Sequence, residues 1–252
     1  MVSKNTHYKE GVIEHIKKAR NKGSKASSEF HAVEVPGHIS AGADSAKDTA
    51  VSSLLIHMIA FMLAIPTDKI FILLTVYMSG IFLWKVGRSF HLAWSRLERI
   101  NALVLEEKNE IATNRSEERE ELTDMYRAKG FTEPLLTKII DVMMADDNKL
   151  LAVMLEEELG IPMASYVHPL KQALGAACGV ILTALSIPIG LAMSEEYGLF
   201  ITTFIITAAA SYLMAKIEKI ERLENTIKGV SLTFLATFAT YFFTKFLIQE
   251  IL

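Results

Sequence analysis

The sequence predicts an all-α membrane protein, with five transmembrane helices and a cytoplasmic helical insert between the second and the third. Three observations lead to this prediction. Long runs without charge, or with a single charge near one end, occur five times, and an acidic block at 98–158 separates the second run from the third. The segments that connect the runs also differ in their content of Lys and Arg, as loops on the two sides of a membrane do.

The apolar runs are judged by whether a helix of their length can cross a hydrocarbon core of roughly 30 Å, which takes about 20 residues. Three later runs are long enough, and the only charge among them, Lys245, lies near an end. The first run contains His57. The second is short, but it can span if its helix continues past the membrane and Lys85 and Arg88 reach the headgroups. The five runs are 49–66, 70–84, 172–193, 197–215 and 229–249.

The distribution of basic residues predicts the orientation. Residues 1–47 contain eight Lys or Arg and loop 216–228 contains four, whereas loop 194–198 contains two acids and no base. Because an excess of Lys and Arg marks the cytoplasmic side, the N-terminus, the acidic block and loop 216–228 are expected there, with the C-terminus outside. The predicted regions are a basic cytoplasmic N-terminal arm (1–47), transmembrane helices 1 and 2 (48–85), the cytoplasmic insert (86–162) and transmembrane helices 3 to 5 (163–252).

The insert is predicted to be helical throughout. Residues 85–113 contain no Pro and only Gly87, which indicates one long helix. Later helices are expected to start at N-cap residues and to end at glycines. The predicted starts are Ser116, Thr132 and Asp146 or Asp147, and the predicted ends are Gly130 and Gly160.

The acidic block contains sixteen of the 29 acidic residues of the chain, and some of them share a spacing that suggests metal ligation. Two glutamate pairs are three residues apart, so both side chains of a pair leave one face of a helix. Carboxylate ligands with one thioether suit a first-row divalent metal better than magnesium or calcium. A solvated acidic helix face is the simpler alternative. The candidate metal ligands are Glu107, Glu110, Glu118, Glu121, Met154 and Glu158.

Several other classes of function have no residues to support them. The sequence contains no Walker loop, no HExxH or GxSxG motif and no ExxH pair suited to a di-iron bundle, so we do not expect an enzyme. The single cysteine, Cys178, excludes a Cys-rich metal site. The basic arm lacks interleaved aromatic residues, which argues against nucleic-acid binding.

The acidic block resembles the cytoplasmic metal-binding domain of the vacuolar iron transporter family, which includes iron and manganese exporters and nodulin-like membrane proteins. The resemblance rests on SEEREELTDMYRAKGF at 116–131 and MLEEELGIP at 154–162. The family's two glutamate pairs match Glu107 with Glu110 and Glu118 with Glu121. Its Met-Met-x-x-Glu-Leu-Gly element matches 154–160, with Leu155 in place of the second Met. The resemblance implies five spans, a homodimer, and Fe²⁺ or Mn²⁺ as the bound and transported ion rather than as a cofactor.

The membrane half resembles the family less closely. The family's first span carries an Asp on the transport path, and its equivalent here is Asp48. Gly37 stands where the family has a Glu, and Tyr77 and Lys85 stand where it has a Glu and a Met on the path. A fixed cation at that place would repel a divalent ion. His57 is either a core histidine or a functional group within the membrane.

The resemblance implies export of Fe²⁺ or Mn²⁺ from the cytoplasm, with protons moving the other way. The open alternative is a membrane-anchored metal buffer or sensor that binds ions but no longer conducts them. A third possibility is a structural membrane protein that binds no metal. A bacterial inner membrane is the simplest expected location, with the N-terminus in the cytoplasm.

Overall fold

The structure, a computed structural model, describes residues 37–161 and 168–251. The predicted arm up to residue 36 lies outside the described residues, and so does Pro162, which follows the predicted helix end at Gly160. Within the described ranges, every regular element is an α-helix. The helices are α1 (Gly37–Met62), α2 (Thr67–Thr113), α3 (Arg115–Ala128), α4 (Leu135–Met144), α5 (Asp147–Glu157), α6 (Pro169–Met193), α7 (Gly198–Glu218) and α8 (Arg222–Ile251).

The described residues divide into two compact units. The membrane unit consists of residues 37–93 and 168–251, and the acidic unit consists of residues 94–161. Helix α2 contributes residues to both, with the division after Ala93. The predicted long helix at 85–113 is therefore the second part of a helix that already begins at Thr67.

Four helices of the described residues, α2, α6, α7 and α8, are long and apolar enough to cross a membrane. Many of their large apolar side chains point outward, Leu83 and Phe243 among them, as expected for a surface that faces lipid. The protein is therefore an integral membrane protein. Helix α2 has 47 residues, more than twice the roughly 20 that a crossing requires, so its charged second part lies beyond the crossing segment.

The predicted first span, 49–66, is not among these four helices. Its helix, α1, begins earlier, at Gly37, and ends at Met62. Residues 37–47, assigned by the sequence to the arm, are therefore helical. Helix α1 packs against α6, α7 and α8, and its buried residues include Ser45, Thr49, Ser53 and His57. A helix surrounded by other helices can bury polar side chains in protein rather than in lipid, which explains its lower apolar content.

Two glycines allow α1 and α6 to approach closely. Gly175 and Gly179 of α6 form a GxxxG motif. A Cβ atom at Gly175 would collide with the backbone of His38, and one at Gly179 would collide with the backbone of Gly42. Thr183, one turn further along α6, donates a hydrogen bond to the carbonyl of Ala46 at 3.1 Å. Small residues at four-residue spacing are typical of helices that pack backbone to backbone in membranes.

The acidic unit has its own apolar core, to which every one of its helices contributes. The core includes Ile111 of α2, Leu122 of α3, Ile140 of α4 and Leu150 of α5, all buried. Ion pairs at its surface join α3 to its neighbours, since Arg119 pairs with Asp141 of α4 and Arg115 with Asp147 of α5. The described residues of the acidic unit thus form an apolar core, and ion pairs connect its helices at the surface.

Two of the predicted helix starts were wrong, and the third was confirmed. Helix α3 begins at Arg115, not after Ser116, because Arg115 is held by Asp147 at 2.5 Å and by the carbonyl of Met144 at 2.6 Å. Helix α4 begins at Leu135, not at Thr132. There the carboxylate of Glu133 accepts hydrogen bonds from the amide and the hydroxyl of Thr137, at 3.4 and 2.6 Å.

Asp146 is the N-cap of α5, where its side chain accepts hydrogen bonds from the amides of Asn148 and Lys149 at 2.9 and 3.2 Å. Gly130 and Gly160 follow the ends of α3 and α5 with φ of 96° and 66°. These left-handed conformations suit glycine, and both predicted helix ends are confirmed.

The close approach of α1 and α6 predicts different effects for the same substitution at two glycines. Gly179→Ala places a methyl group against the backbone of Gly42 and Ala46, so we expect a loss of roughly 1–3 kcal/mol in stability. Gly80→Ala on α2 meets no atom within 4 Å and serves as the control; we expect no loss, because alanine favours helix. Thermal unfolding in detergent measures both. Equal melting temperatures for the two variants would contradict this packing.

Candidate metal centre

Glu107 is the centre of a group of acidic side chains in the acidic unit. Its side chain is only 3 % exposed, and its Oε1 atom makes no hydrogen bond among the described residues. Four other carboxylates are close enough to act on its charge, and they come from three different segments. They are Glu110, Glu118, Glu121 and Glu158. The four other glutamates predicted as ligands therefore lie within electrostatic reach of Glu107.

The pKa of Glu107 shows how the group interacts. Burial is the largest cause of its shift, and the negative charges of the four neighbouring glutamates add to it. Together they raise the pKa of Glu107 from 4.5 to about 9. At neutral pH, Glu107 therefore holds a proton, which a bound cation would have to displace.

Local structure brings the three segments together. Glu107 and Glu110 lie near the end of α2, where Asn114 separates it from α3 and donates its amide to the carbonyl of Glu110 at 2.8 Å. Glu118 and Glu121 lie in the first two turns of α3, on its buried face. The exposed amides at a helix N-terminus favour negative charge, which offsets part of the repulsion.

Glu158 reaches the group from the end of α5. It is the C-cap residue of that helix, it is buried, and its amide donates to the carbonyl of Met154 at 2.9 Å. Met154 is fully buried and belongs to the apolar core of the acidic unit. Its role as a sulfur ligand remains a prediction, since a core methionine has the same burial.

The side chains are not arranged as a finished metal site. Among residues 37–161 and 168–251, no three His, Cys, Asp or Glu side chains stand in positions that could hold a metal ion. Carboxylates that repel each other are expected to stay apart without a cation, while their backbone positions still bring them within electrostatic reach. The donor set fits a divalent ion, and binding would require these carboxylates to move closer to one another.

Asp48, the predicted transport residue, lies in the membrane unit and is paired with a lysine. Its Oδ2 atom forms a salt bridge with Nζ of Lys85, the residue that departs from the family pattern. Lys85 is only 13 % exposed, whereas Asp48 is 61 % exposed. Lys85, the fixed cation that was expected to repel a divalent ion, is thus in direct contact with the carboxylate of Asp48. One turn along α1, the hydroxyl of Tyr77 donates to Ser52 Oγ at 2.6 Å.

Asp48 also lines a cavity of about 520 Å³ between α1, α7 and α8, which sequence reasoning missed. The cavity contains a second ion pair, between Asp44 and Lys47 at 2.9 Å, and the side chain of Asn225. The only feature of the sequence that could have indicated this cavity was the number of hydroxyl and acidic residues in α1. Two acidic and two basic side chains lie in or beside this cavity, so their formal charges balance. They are Asp44, Asp48, Lys47 and Lys85.

Similarity to a known protein family covers the later part of the chain, from residue 90. The sequence model of the VIT family matches residues 90–245, more than half of the chain. The chain belongs to the VIT family, the vacuolar iron transporters. No curated protein sequence matches it significantly.

The VIT match includes all five glutamates predicted as ligands and Met154 but excludes Asp48, Tyr77 and Lys85. The VIT family is a family of membrane transporters and not of enzymes. The part of the chain that matches therefore contains the candidate metal centre, and the part that does not match contains the residues predicted to lie on the transport path.

The raised pKa of Glu107 predicts a pH-dependent effect of Glu107→Gln. Because the folded-state pKa lies above 4.5, the stabilising contribution of this group is complete below about pH 4.5 and is lost as the pH rises through about 9. Without metal, Glu107→Gln is therefore expected to be more stable than wild type at alkaline pH, by about 1–3 kcal/mol, because no buried charge forms. At about pH 5 the two should be alike.

Unfolding of the full chain in detergent across this pH range measures the difference. Glu106→Gln is the matched control, since Glu106 is the adjacent residue of α2 and is exposed. Mn²⁺ should stabilise wild type more than Glu107→Gln. A difference between wild type and Glu107→Gln that does not change with pH would contradict the role assigned to burial and repulsion.

Proposed function

We propose that this protein exports Fe²⁺ or Mn²⁺ from the cytoplasm in exchange for protons, and that the acidic unit captures the ion. The observation that supports this most is the buried Glu107, whose pKa is raised to about 9 with four carboxylates around it. Such a group is costly for an unliganded protein and useful for one that binds divalent cations. Metal binding must displace a proton and metal release must restore it, which provides a chemical basis for exchange.

In this proposal the metal is the transported substrate and not a resident cofactor. Glu107, Glu110, Glu118, Glu121 and Glu158 supply oxygen ligands, and Met154 supplies a sulfur. Iron and manganese both accept this combination, which suits neither magnesium nor calcium as well. A metal ion would draw the side chains inward from their present positions by replacing their mutual repulsion with attraction.

The membrane unit provides the path. Four apolar helices and the polar α1 together give the proposed five spans, with the N-terminus and the acidic unit in the cytoplasm. Asp48 and its cavity form the membrane part of the route. A homodimer in a bacterial inner membrane is the proposed assembly and location, by similarity to the family plan.

The alternative function is a membrane-anchored metal buffer or sensor that binds ions without conducting them. The ion pair between Lys85 and Asp48 favours it, because an ammonium group already satisfies the carboxylate that a passing ion would need. For transport, Lys85 must release Asp48 when the metal arrives. For a buffer or sensor, the pair can remain closed.

Flux of Mn²⁺ and Fe²⁺ into vesicles containing the purified full chain separates the two functions. A transporter should move both ions, and Asp48→Ala should reduce the flux by about tenfold or more, as loss of groups at a metal site commonly does. Lys85→Met frees Asp48 and should increase the flux. Lys47→Met is the matched control, since Lys47 lines the same cavity but pairs with Asp44.

Equal flux through wild type and Asp48→Ala would remove Asp48 from the mechanism. A wild type that binds metal but moves none would favour the buffer or sensor. If such an inert protein gained flux with Lys85→Met, the ion pair would be identified as the element that closes the path.

A further inference from the structure

His57 is the only titratable side chain that is buried in the described part of the membrane unit. It lies on α1, and its ring is 1 % exposed and stacked on Phe61 with the ring centroids 6.1 Å apart. An ionisable group within a membrane bundle is costly and usually has a function. The metal path described above does not use it.

The ring borders a cavity of about 600 Å³ formed by the end of α1, the start of α7 and the end of α8. The titratable and charged groups that face His57 across this cavity come from the turn that precedes α7 and from α8. Glu196 and Tyr197 lie at the turn between α6 and α7, and Tyr241 and Lys245 lie on α8. The cavity therefore offers water and ionisable groups to a histidine that is otherwise enclosed.

Neither ring nitrogen of His57 makes a hydrogen bond among the described residues. The backbone of Glu195 and Glu196 is close enough to interact with the ring, but it does not reach hydrogen-bonding geometry. A histidine that serves only to fill a core is normally satisfied by a partner, because an unsatisfied buried polar group costs about 1–3 kcal/mol. The ring nitrogens remain available to a ligand from the cavity.

We propose that His57 is the proton-binding group of the membrane unit, which takes a proton from the water of this cavity and passes it inward in exchange for the outgoing metal ion. The neutral ring accepts one proton and becomes imidazolium, and it returns to neutral when that proton moves on. This inference rests on the proposed exchange. The acidic turn at Glu195 and Glu196 belongs to the side expected to face outward, from which the protons must come.

A proton fits this cavity better than a metal ion does. In the described residues, no group of three or more His, Cys, Asp or Glu could bind a metal here. Glu196 is the only carboxylate that lines the cavity, and the ammonium of Lys245 lines it too. A proton needs only one basic nitrogen, and imidazole is the side chain that gains and loses its proton near neutral pH.

Polar side chains continue from His57 toward the level of Asp48. Ser45, Thr49, Ser53 and His57 follow one another at intervals of four residues on α1, and all are buried. Each step covers roughly 6 Å along the helix axis. Thr49 Oγ1, like the ring nitrogens of His57, is buried and makes no hydrogen bond among the described residues.

The two cavities border the same three helices at successive levels. The cavity at Asp48 lies against the earlier part of α1 and of α8, and the cavity at His57 lies against their later parts. Nine residues separate Asp48 from His57, or roughly 14 Å along α1. Protons and metal can thus enter the membrane unit at different levels and compete only where the two routes meet.

A direct test follows the protonation of His57 in vesicles without metal, by side-chain nitrogen NMR of isotope-labelled histidine. The signal is assigned by its loss in His57→Gln. We expect the ring to gain and lose its proton reversibly between about pH 5 and 8, because it borders the cavity. A ring that keeps one protonation state throughout this range would overturn the inference, and this result does not depend on any transport.

A second test measures metal uptake and proton counter-flow together, with the membrane potential clamped. His57→Gln should reduce the proton flow per metal ion by about tenfold or more, the usual contribution of a positioned proton carrier, while metal still enters down its gradient. His91→Gln is the control, because His91 is an exposed histidine on α2 of the same unit and should leave both flows unchanged.

The outcomes separate the two proposals. If wild type and His57→Gln exchange protons for metal equally well, the inference about His57 fails and the proposed function stands. If wild type moves no metal, the exchange itself fails, and the inference fails with it. Only a selective loss of proton flow in His57→Gln, together with titration of the wild-type ring, supports the role.

Discussion

Repulsion among buried carboxylates is the constraint on which the acidic unit depends. Burial and the negative charges of four neighbouring glutamates raise the pKa of Glu107 to about 9, so the folded unit keeps a proton that an unfolded chain would release. The apolar core beneath, with Leu122 and Leu155 fully buried, supplies the energy that holds these groups together. Protonation relieves this repulsion, and the proposed metal binding would relieve it as well, so the proposal predicts a unit that responds to both pH and divalent cations.

The membrane unit meets a related constraint, since lipid cannot solvate polar groups. It places the polar side chains on α1 and covers that helix with α6, α7 and α8. The glycine contacts with α6 make this covering close. Asp48 is matched by Lys85, whereas His57 is left facing a cavity. One helix thus contains a carboxylate paired with a lysine and an imidazole that borders a cavity, and the proposed mechanism assigns the first to a metal route and the second to a proton route.

The sequence was sufficient to predict the helical class, the long α2 and the family, whereas the joint ligation of a metal by the glutamates stays a prediction. Spacing and helix breaks are local features, and the pairs at Glu107 and Glu118 depend on them. The starts of α3 and α4 were mispredicted because Arg115 and Glu133 make contacts that a cap preference does not reveal. The sequence did not reveal that α1 buries polar side chains against other helices. Hydropathy is averaged along a helix and contains no information on whether the neighbours of that helix are protein or lipid. The salt bridge between Asp48 and Lys85 was not predicted. Lys85 was expected only as a fixed cation on the path, because residue spacing along the chain does not give the distance between side chains on two different helices.

The claim that Glu107 and its neighbours form a cation site is tested most directly by counting protons. Calorimetric titration of the full chain with Mn²⁺ at about pH 7, repeated in buffers of different ionisation enthalpy, gives the number of protons released per bound ion. Since Glu107 is protonated at this pH, the expected result is a release of about one proton or more per ion in wild type, and a smaller release in Glu107→Gln. Tight binding without proton release, or no binding of Mn²⁺ or Fe²⁺ at all, would contradict the claim.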